Sequence, residues 1–236
     1  MGDEETPGGA LVRLFGGLAM DMQEANPGEA TLQVIVAAAV KMIPGVRWAG
    51  ISTIQGRDVI PMVPTSDIVA ELDAAQSAAD DGPCLTALRE HERVHIEDMA
   101  TDRRWPVFAS AALERGVRSL LSFQLFVFGE NLGALNLYAD EPHSFDRESI
   151  LIGDVLAQHA SVAMAGSAAE RQFDEALASR DLIGQAKGIL MHRASVDAQQ
   201  AFTMLQQVSQ ATNTKLAKIA ELLVADHLET LTPKRT

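Results

Sequence analysis

An α+β fold is what this sequence predicts: an antiparallel sheet with flanking helices, then one long coiled-coil helix, then an all-α module of three helical segments. Three observations carry it. Two pairs of short β-type runs, within 48–63 and 119–138, are each joined by turn-forming residues. No proline occurs between Phe145 and Thr232, so a helix can run far beyond ordinary length. The stretch Arg180 to Val224, RDLIGQAKGILMHR, then AFTMLQQVSQATN, then KLAKIAELLV, packs three helical segments into one short module. A length of 236 residues suits one medium domain plus a small one, and 47% hydrophobic with 22% charged content is ordinary for a soluble globular chain.

Taken in order, the first eight residues, MGDEETPG, are polar and turn-rich and are expected to be disordered, with a short helix over Leu11 to Met22. From Glu29, apolar residues at Leu32, Ile35, Val36, Ala39, Val40 and Ile43 recur at helical spacing until Pro44-Gly45 stops them. Trp48 to Ile54 and Val59 to Val63 flank Gln55-Gly56-Arg57-Asp58, a hairpin pattern. Ser66 is placed to cap a helix to about Ala79, and Asp81-Gly82-Pro83 breaks the chain. Cys84 to Leu88 reads as a helical turn or two, Val94 to Ile96 as extended, and Trp105 to Gly116 as a helix ended by glycine. Ser119 to Phe128 and Leu132 to Tyr138, joined by Gly129-Glu130-Asn131, are the clearest strands and are expected at the centre of the sheet.

Beyond Ser144, read as a polar cap, a helical pattern runs from Arg147 to His192, about 45 residues or ~70 Å at 1.5 Å per residue. Such a helix needs a partner along its length. Val155, Val162, Ala169, Ala176, Ile183 and Leu190 recur every seven residues, with Phe173 four after Ala169, the seam of a parallel coiled-coil homodimer. His159, Gly166, Arg180 and Lys187 interrupt the companion positions, and two helices broken at Gly166 are the alternative. The predicted division is an N-terminal segment 1–26, a first domain 27–165, a helical linker 166–179 and a C-terminal domain 180–236.

The net charge of −13 is unevenly distributed. Residues 1–179 hold 12 Lys and Arg against 27 Asp and Glu, and residues 180–236 hold 7 against 5, or −15 and +2. Only the second part is suited to approach a polyanion, because phosphate neutralisation needs local cations. A single cysteine, Cys84, excludes an intramolecular disulfide and a multi-cysteine metal site, and fits a reducing cytoplasm. No apolar run of roughly 18 residues and no basic-then-apolar leader occurs, so neither a membrane span nor secretion is expected.

Within the C-terminal module, Ile183, Ala186, Ile189 and Leu190 share one face of the first helix, leaving Arg180, Gln185, Lys187, Gly188 and His192 on the others. A glycine inside a helix costs about 1 kcal/mol relative to alanine, so Gly188 implies close approach to the backbone, by the next helix or by a phosphate. Ser195 is read as the cap of the second helix, whose buried side is Ala198, Ala201, Phe202, Leu205 and Val208. The third helix turns Leu216, Ile219, Ala220 and Leu223 inward, with Lys215 and Lys218 outward. Between Lys187 and Lys218 stand four Lys and Arg and one Asp, a sustained basic window. It lacks Trp and Tyr, so shape recognition of folded RNA fits better than stacking on single strands.

The run RDLIGQAKGILM, the AF of the next helix and the closing SQATNTKLAKIAELLV resemble the ANTAR domain of transcription antitermination regulators. That resemblance implies binding of paired stem-loops in nascent messenger RNA by coiled-coil dimers. It puts Arg180, Gln185, Lys187, Gly188 and Arg193 on or near the RNA face, with Ala186, Lys187 and Gly188 as the motif core and Lys215 and Lys218 as additions. Residues from about Pro27 to Ala165, through DGPCLTAL, WPVFASAALERGVRSLLSF and LGALNLYADEPHSF, resemble a GAF domain, a small-molecule sensor. The order of the two modules is similar to that of actinobacterial regulators. The sensor resemblance implies a pocket between sheet and helices, lined by Trp48, Gln76, Cys84, Ser122, Asn136 and Tyr138.

The cyclic-nucleotide signature of some relatives, N-K-x-x-x-F followed by D-E, is not matched by Asn136 to Glu148, and the cysteine trio of the sulfoxide reductases on this fold is absent. The ligand and any cofactor therefore stay unassigned. Cys84 at the start of a helix is either a redox sensor with a lowered pKa or a buried structural thiol. An enzymatic alternative rests on His91-Glu92-Arg93-Val94-His95, which has the H-E-x-x-H spacing of zinc peptidases. That chemistry needs one helix through both histidines, whereas Val94-His95-Ile96 reads as a strand. No Walker loop, G-x-S-x-G or Rossmann glycine pattern occurs. The expectation is a cytoplasmic, homodimeric, non-enzymatic regulator; a sensor that signals through a protein partner is the rival.

Overall fold

The computed structural model describes residues 7–25, 28–56, 58–90, 93–127 and 130–231. It divides into two compact units, one ending at Ser167 and the other beginning at Ala168. The elements of the first are α1 (Pro7–Glu24), α2 (Glu29–Met42), β1 (Trp48–Gln55), β2 (Asp58–Pro61), α3 (Asp67–Ala79), α4 (Pro83–Glu90), β3 (Val94–Ile96), α5 (Pro106–Glu114), β4 (Ser119–Val127) and β5 (Glu130–Ala139). Helix α6 (Arg147–Ala194) begins in this unit and ends in the next, where α7 (Ala198–Thr212) and α8 (Leu216–Leu231) follow.

The five strands form one sheet in the order β2-β1-β5-β4-β3, every neighbouring pair antiparallel. The two clearest strands of the sequence, β4 and β5, do lie inside it. Strand alternation sorts their side chains. Ala49 and Ile51, Leu121, Phe123 and Leu125, and Leu135, Leu137 and Ala139 join the core formed with α2 and the first turns of α6. Tyr138 and Leu120 face the other way, into a core made by α3, α4, α5 and β3. Helix α6 presents Ile152, Leu156, Ala157 and Ala160 to the sheet at helical spacing. Gly153 lies against the Phe123 ring, where a Cβ would collide, so the close approach of α6 to β4 requires glycine.

Three boundaries differ from expectation. Helix α1 begins at Pro7, earlier than the predicted Leu11, because proline is well suited to a first helical turn and Leu18 is buried against α2; of the segment expected to be disordered, residues 1–6 lie outside the described residues. Helix α6 is capped by Asp146 instead of Ser144. Ser149 N–H donates to Asp146 Oδ1 at 2.8 Å, which holds that carboxyl below its usual pKa, while Ser144 Oγ donates to the Glu141 carbonyl at 2.9 Å. Ser195 adopts φ 52° just past the end of α6, the left-handed closing position, and the cap of α7 is Asp197 in a reciprocal capping box with Gln200.

Helix α6 is unbroken at Gly166, which removes the alternative of two helices. Its proposed seven-residue seam is divided by function. Ile183 and Leu190 pack into the C-terminal core, whereas Val162 and Phe173 are each 68% exposed. In that C-terminal core Ala186, Leu205 and Ala220 are fully enclosed, with Leu182, Ile183, Leu190, Leu216, Ile219, Leu223 and Val224 half-buried around them, and Ala201 of α7 is enclosed as well. On α7 the buried stripe narrows to Ala201 and Leu205; Ala198 and Val208, expected inside, are exposed, and Phe202 is half-buried.

Candidate functional site

Two sites emerge, one enclosed in the first unit and one on the surface of the second. The enclosed site starts from strand register: Gly50 pairs with Asn136, and Asn136 with Ser122. These residues alternate away from the apolar α2/α6 side, so a row of small and polar side chains crosses three strands beneath α3 and α4. Ser52 continues the row two residues along β1. From above, α3 supplies Asp73 and Gln76, and α4 supplies Cys84. Ser52, Asp73, Gln76, Ser122, Asn136 and Tyr138 all have 0% exposure, and Cys84 has 1%.

Hydrogen bonds link them in one direction. Ser122 Oγ donates to Asn136 Oδ1 (2.6 Å), Asn136 Nδ2 to Ser52 Oγ (3.4 Å), and Ser52 Oγ to Asp73 Oδ2 (2.6 Å). A second branch runs from the Cys84 N–H to Gln76 Oε1 (2.8 Å) and from Gln76 Nε2 to Asp73 Oδ1 (3.5 Å). Both branches end on one carboxyl group. Burial pushes the Asp73 pKa from 3.8 up to about 7, against the lowering effect of the Ser52 hydrogen bond. Tyr138 Oη is buried with no hydrogen-bond partner among the described residues, and burial followed by the Asp73 charge raises its pKa.

Four of the six residues expected to line the pocket, Gln76, Cys84, Ser122 and Asn136, are joined in these branches, whereas Tyr138 lies in the apolar core made with α3 and α5. Trp48 is half-buried against the apolar α3/α5 side and stands outside the hydrogen-bonded chain. Sequence reasoning missed Asp73 and Ser52. The signal was present: Val69, Leu72, Asp73 and Gln76 fall on one face of α3, and Ser52 alternates with Trp48 and Gly50 on β1. The redox-sensor reading of Cys84 is corrected, because burial, then the Asp73 charge, pushes its thiol up to about 12 despite its place in the first turn of α4. His91 and Glu92 of the H-E-x-x-H match lie outside the described residues, and His95 sits in the extended strand β3, so the required helix does not pass through it. Burial lowers the His95 pKa.

In the second unit, Arg180, Gln185, Gly188, Lys215 and Lys218 are exposed. Lys187 is half-buried, its Nζ 5.9 Å from the centre of the Phe202 ring, a cation–π contact that holds the ammonium over α7. Arg193 is engaged within the unit: Nη1 is 3.0 Å from Asp226 Oδ2, and Nη2 is 3.0 Å from His227 Nδ1. Lys218 pairs with Glu221 at 2.9 Å across one turn. Ala186 corrects the motif-based assignment, since at 0% exposure it is a packing residue with no surface to offer. A Cβ at Gly188 would meet nothing within 4 Å, nor would one at Gly184, so neither glycine is there to admit a neighbouring helix of this unit.

The comparisons agree with this division. A GAF domain model matches residues 27–165, and an ANTAR domain model matches residues 171–224. The chain belongs to the GAF domain family and carries an ANTAR domain in its C-terminal part, the pairing of a sensor domain with an RNA-binding regulatory domain. No curated protein matches the chain in sequence. Among solved structures it is similar to the GAF domain of a phosphoenolpyruvate-protein phosphotransferase from Coxiella burnetii, with a TM-score of 0.55 and 15% identity over 71% of this chain and 99% of that one. It is also similar to a free methionine-R-sulfoxide reductase from Neisseria meningitidis in complex with its substrate (TM-score 0.54, 16% identity, 72% and 98% covered). A third is the GAF domain of the corresponding phosphotransferase from Acinetobacter (0.51, 12%, 69% and 98%). At these identities the likeness establishes the fold.

Proposed function

We propose that the chain is a signal-responsive transcription antitermination regulator. Its C-terminal unit binds paired stem-loops in nascent messenger RNA, and a small molecule bound in the first unit controls that binding. The observation that carries this reading is the open backbone at Gly188 beside Lys187, with Arg180, Gln185, Lys215 and Lys218 exposed on the same small unit. Exposed helix glycines that no packing requires are a cost unless something approaches them, and a phosphate backbone among cations is the approach that fits. Arg193, tied to Asp226, positions the end of α6 on α8 and contributes charge second-hand.

The protein acts as a homodimer in this reading, with α6 pairing through the exposed apolar residues Phe173 and Leu177 of its middle turns. Two copies match two hairpins, and the linked contacts multiply affinity. Helix α6 is the coupling element, since it buries Leu156 in one core and Ala186 in the other. A ligand shifts RNA affinity only as far as it prefers one arrangement of that helix. Regulation without catalysis, in the cytoplasm, completes the reading; among the described residues no helix is long and apolar enough to cross a membrane.

A mobility-shift titration of the full chain compares a tandem stem-loop RNA with each hairpin alone. The tandem RNA is expected to bind at least tenfold tighter, and equal or absent binding of the three RNAs overturns the reading. Exposed Met204, Val208, Leu222 and Leu228 in the second unit favour a rival, in which this surface docks a protein. Loss of function on Val208→Ser with RNA binding unchanged would select the rival.

A further inference from the structure

The side of α6 that looks away from the sheet carries a strip that the first unit leaves uncovered. Leu151, Val155, Gln158 and Val162 follow one another at spacings of three and four residues, so they share one side of the helix. Leu151 is 58% and Val162 68% exposed, while Ile152, Leu156, Ala157 and Ala160 on the opposite side are buried in the core with the sheet. In the sequence the same spacing continues through Gly166, Ala169, Phe173 and Ala176, and none of these positions is charged in a chain of net charge −13. The charged residues of that stretch, Asp154, Glu170, Arg171, Asp174 and Glu175, fall off the strip. On β4, Phe126 is 46% exposed, and between that strand and α6 lies a cavity of about 430 Å³ with Phe126, Ala157, Gln158 and Val162 in its wall. The charged residues that line it among those described, Arg93 and Asp154, pair with each other at 3.3 Å, so the wall carries no net charge.

We infer that this strip docks a second copy of the chain, α6 against α6, so that the first units meet each other in the dimer through Leu151, Val155, Gln158 and Val162. The step rests on the homodimer reading and extends it beyond Phe173 and Leu177. Three features select a copy over another partner. An apolar seven-residue repeat meshes with a helix that has the same repeat, which the partner's own α6 supplies. A two-fold axis sets the strip against itself, and an uncharged surface is self-complementary there. Two chains of charge −13 repel, and their contact is least opposed where neither presents a charge. The cavity beside Val162 leaves room at the rim for side chains of the partner. Leu156 and Ala160 of the first core alternate along α6 with Val155 and Val162 of the strip, so a ligand that moves this helix in the core also moves the dimer contact.

The test uses the full chain and its single cysteine. Cys84 is 1% exposed, so a cysteine introduced at the surface reports alone in the folded protein. Paired α6 helices bring the two copies of position 162 within disulfide reach. Under mild oxidation Val162→Cys is therefore expected to form an intermolecular disulfide about tenfold faster than Val107→Cys, whose position on α5 is 63% exposed on the other side of the sheet. Leu151→Lys combined with Val162→Lys, both at exposed positions, is expected to weaken dimerisation about tenfold by sedimentation, with the circular-dichroism spectrum unchanged. Equal cross-linking of Val162→Cys and Val107→Cys, or an unaltered dimer in the double lysine variant, overturns the inference. Cross-linking of Phe173→Cys without that of Val162→Cys also overturns it, while leaving the pairing of the middle turns standing. A wild-type chain that sediments as a monomer at micromolar concentration removes the homodimer reading and this inference together.

Discussion

The first unit encloses Ser52, Asp73, Gln76, Ser122 and Asn136 completely, whereas the second keeps Arg180, Gln185, Lys215 and Lys218 at its surface, with Ala186, Ala201, Leu205 and Ala220 its fully enclosed apolar residues among those described. Polar groups in the first are fixed by one another in a low-dielectric interior, where each unmade bond costs about 1–3 kcal/mol. Those in the second are solvated and screened, and the ion pair Lys218–Glu221 contributes little to stability. Substitutions in the first unit should therefore appear in stability and its pH dependence. Surface substitutions in the second should appear in binding with the fold nearly unchanged.

The largest effect that sharpens this contrast concerns Asp73. Its pKa is about 7 in the folded protein against 3.8 for the ordinary group, so the folded state holds the proton more tightly. Its contribution to stability is complete below about pH 4 and is lost as pH rises through 7, a penalty of at most about 4 kcal/mol. Asp146, held low by the Ser149 N–H, acts in the opposite direction and loses its contribution as pH falls through its lowered pKa. Asp73→Asn should flatten the fall between pH 4 and 7 and melt above wild type at pH 8 by thermal denaturation. A parallel shift of the whole curve would show that Asp73 is not the titrating group.

Next in size is Leu205→Ala. With Ala186 and Ala220 as its enclosed partners, Leu205 is, among the described residues, the one large side chain fully inside the second unit, and its truncation costs roughly 3 kcal/mol. Hydrogen exchange should show protection lost across α7 and α8 while β4 and β5 keep theirs. Loss of protection in both units would erase the distinction drawn between them.

Gly188→Ala separates folding from binding. The position is open, so alanine should stabilise the helix by about 1 kcal/mol while weakening RNA binding by blocking backbone approach. A variant that is more stable and binds RNA as wild type does would remove Gly188 from the interface. The smallest effect is at Cys84: at 1% exposure with a thiol raised to about 12, it should react with iodoacetamide only on unfolding. Rapid alkylation of the native protein would contradict its enclosure.

How far the sequence disclosed all this depended on the range of the interaction. Apolar spacing revealed α2 and α6, the Ser66 cap and a chain break marked α3, and turn residues marked both hairpins, because these signals act locally. Caps were less legible where two candidates stood close together: Ser195 and Asp197 both have capping side chains, and which one caps depends on the left-handed turn that ends α6. Asp73 was hidden in an acidic chain, although its position on the apolar face of α3 marked it. Ala186 shows the reverse difficulty, as a motif names the residues a family keeps without separating those that pack from those that touch. The seven-residue seam misled in part for the same reason, since Ile183 and Leu190 satisfy the repeat while packing within their own unit.

The salt dependence of RNA binding tests the central claim most directly. With a tandem stem-loop RNA, the logarithm of the association constant should fall linearly with the logarithm of salt concentration, and Lys187→Ala should reduce the slope by about one unit and weaken binding. A slope near zero, or the same slope and affinity for wild type and Lys187→Ala, would contradict the assignment of the second unit as the RNA-binding surface.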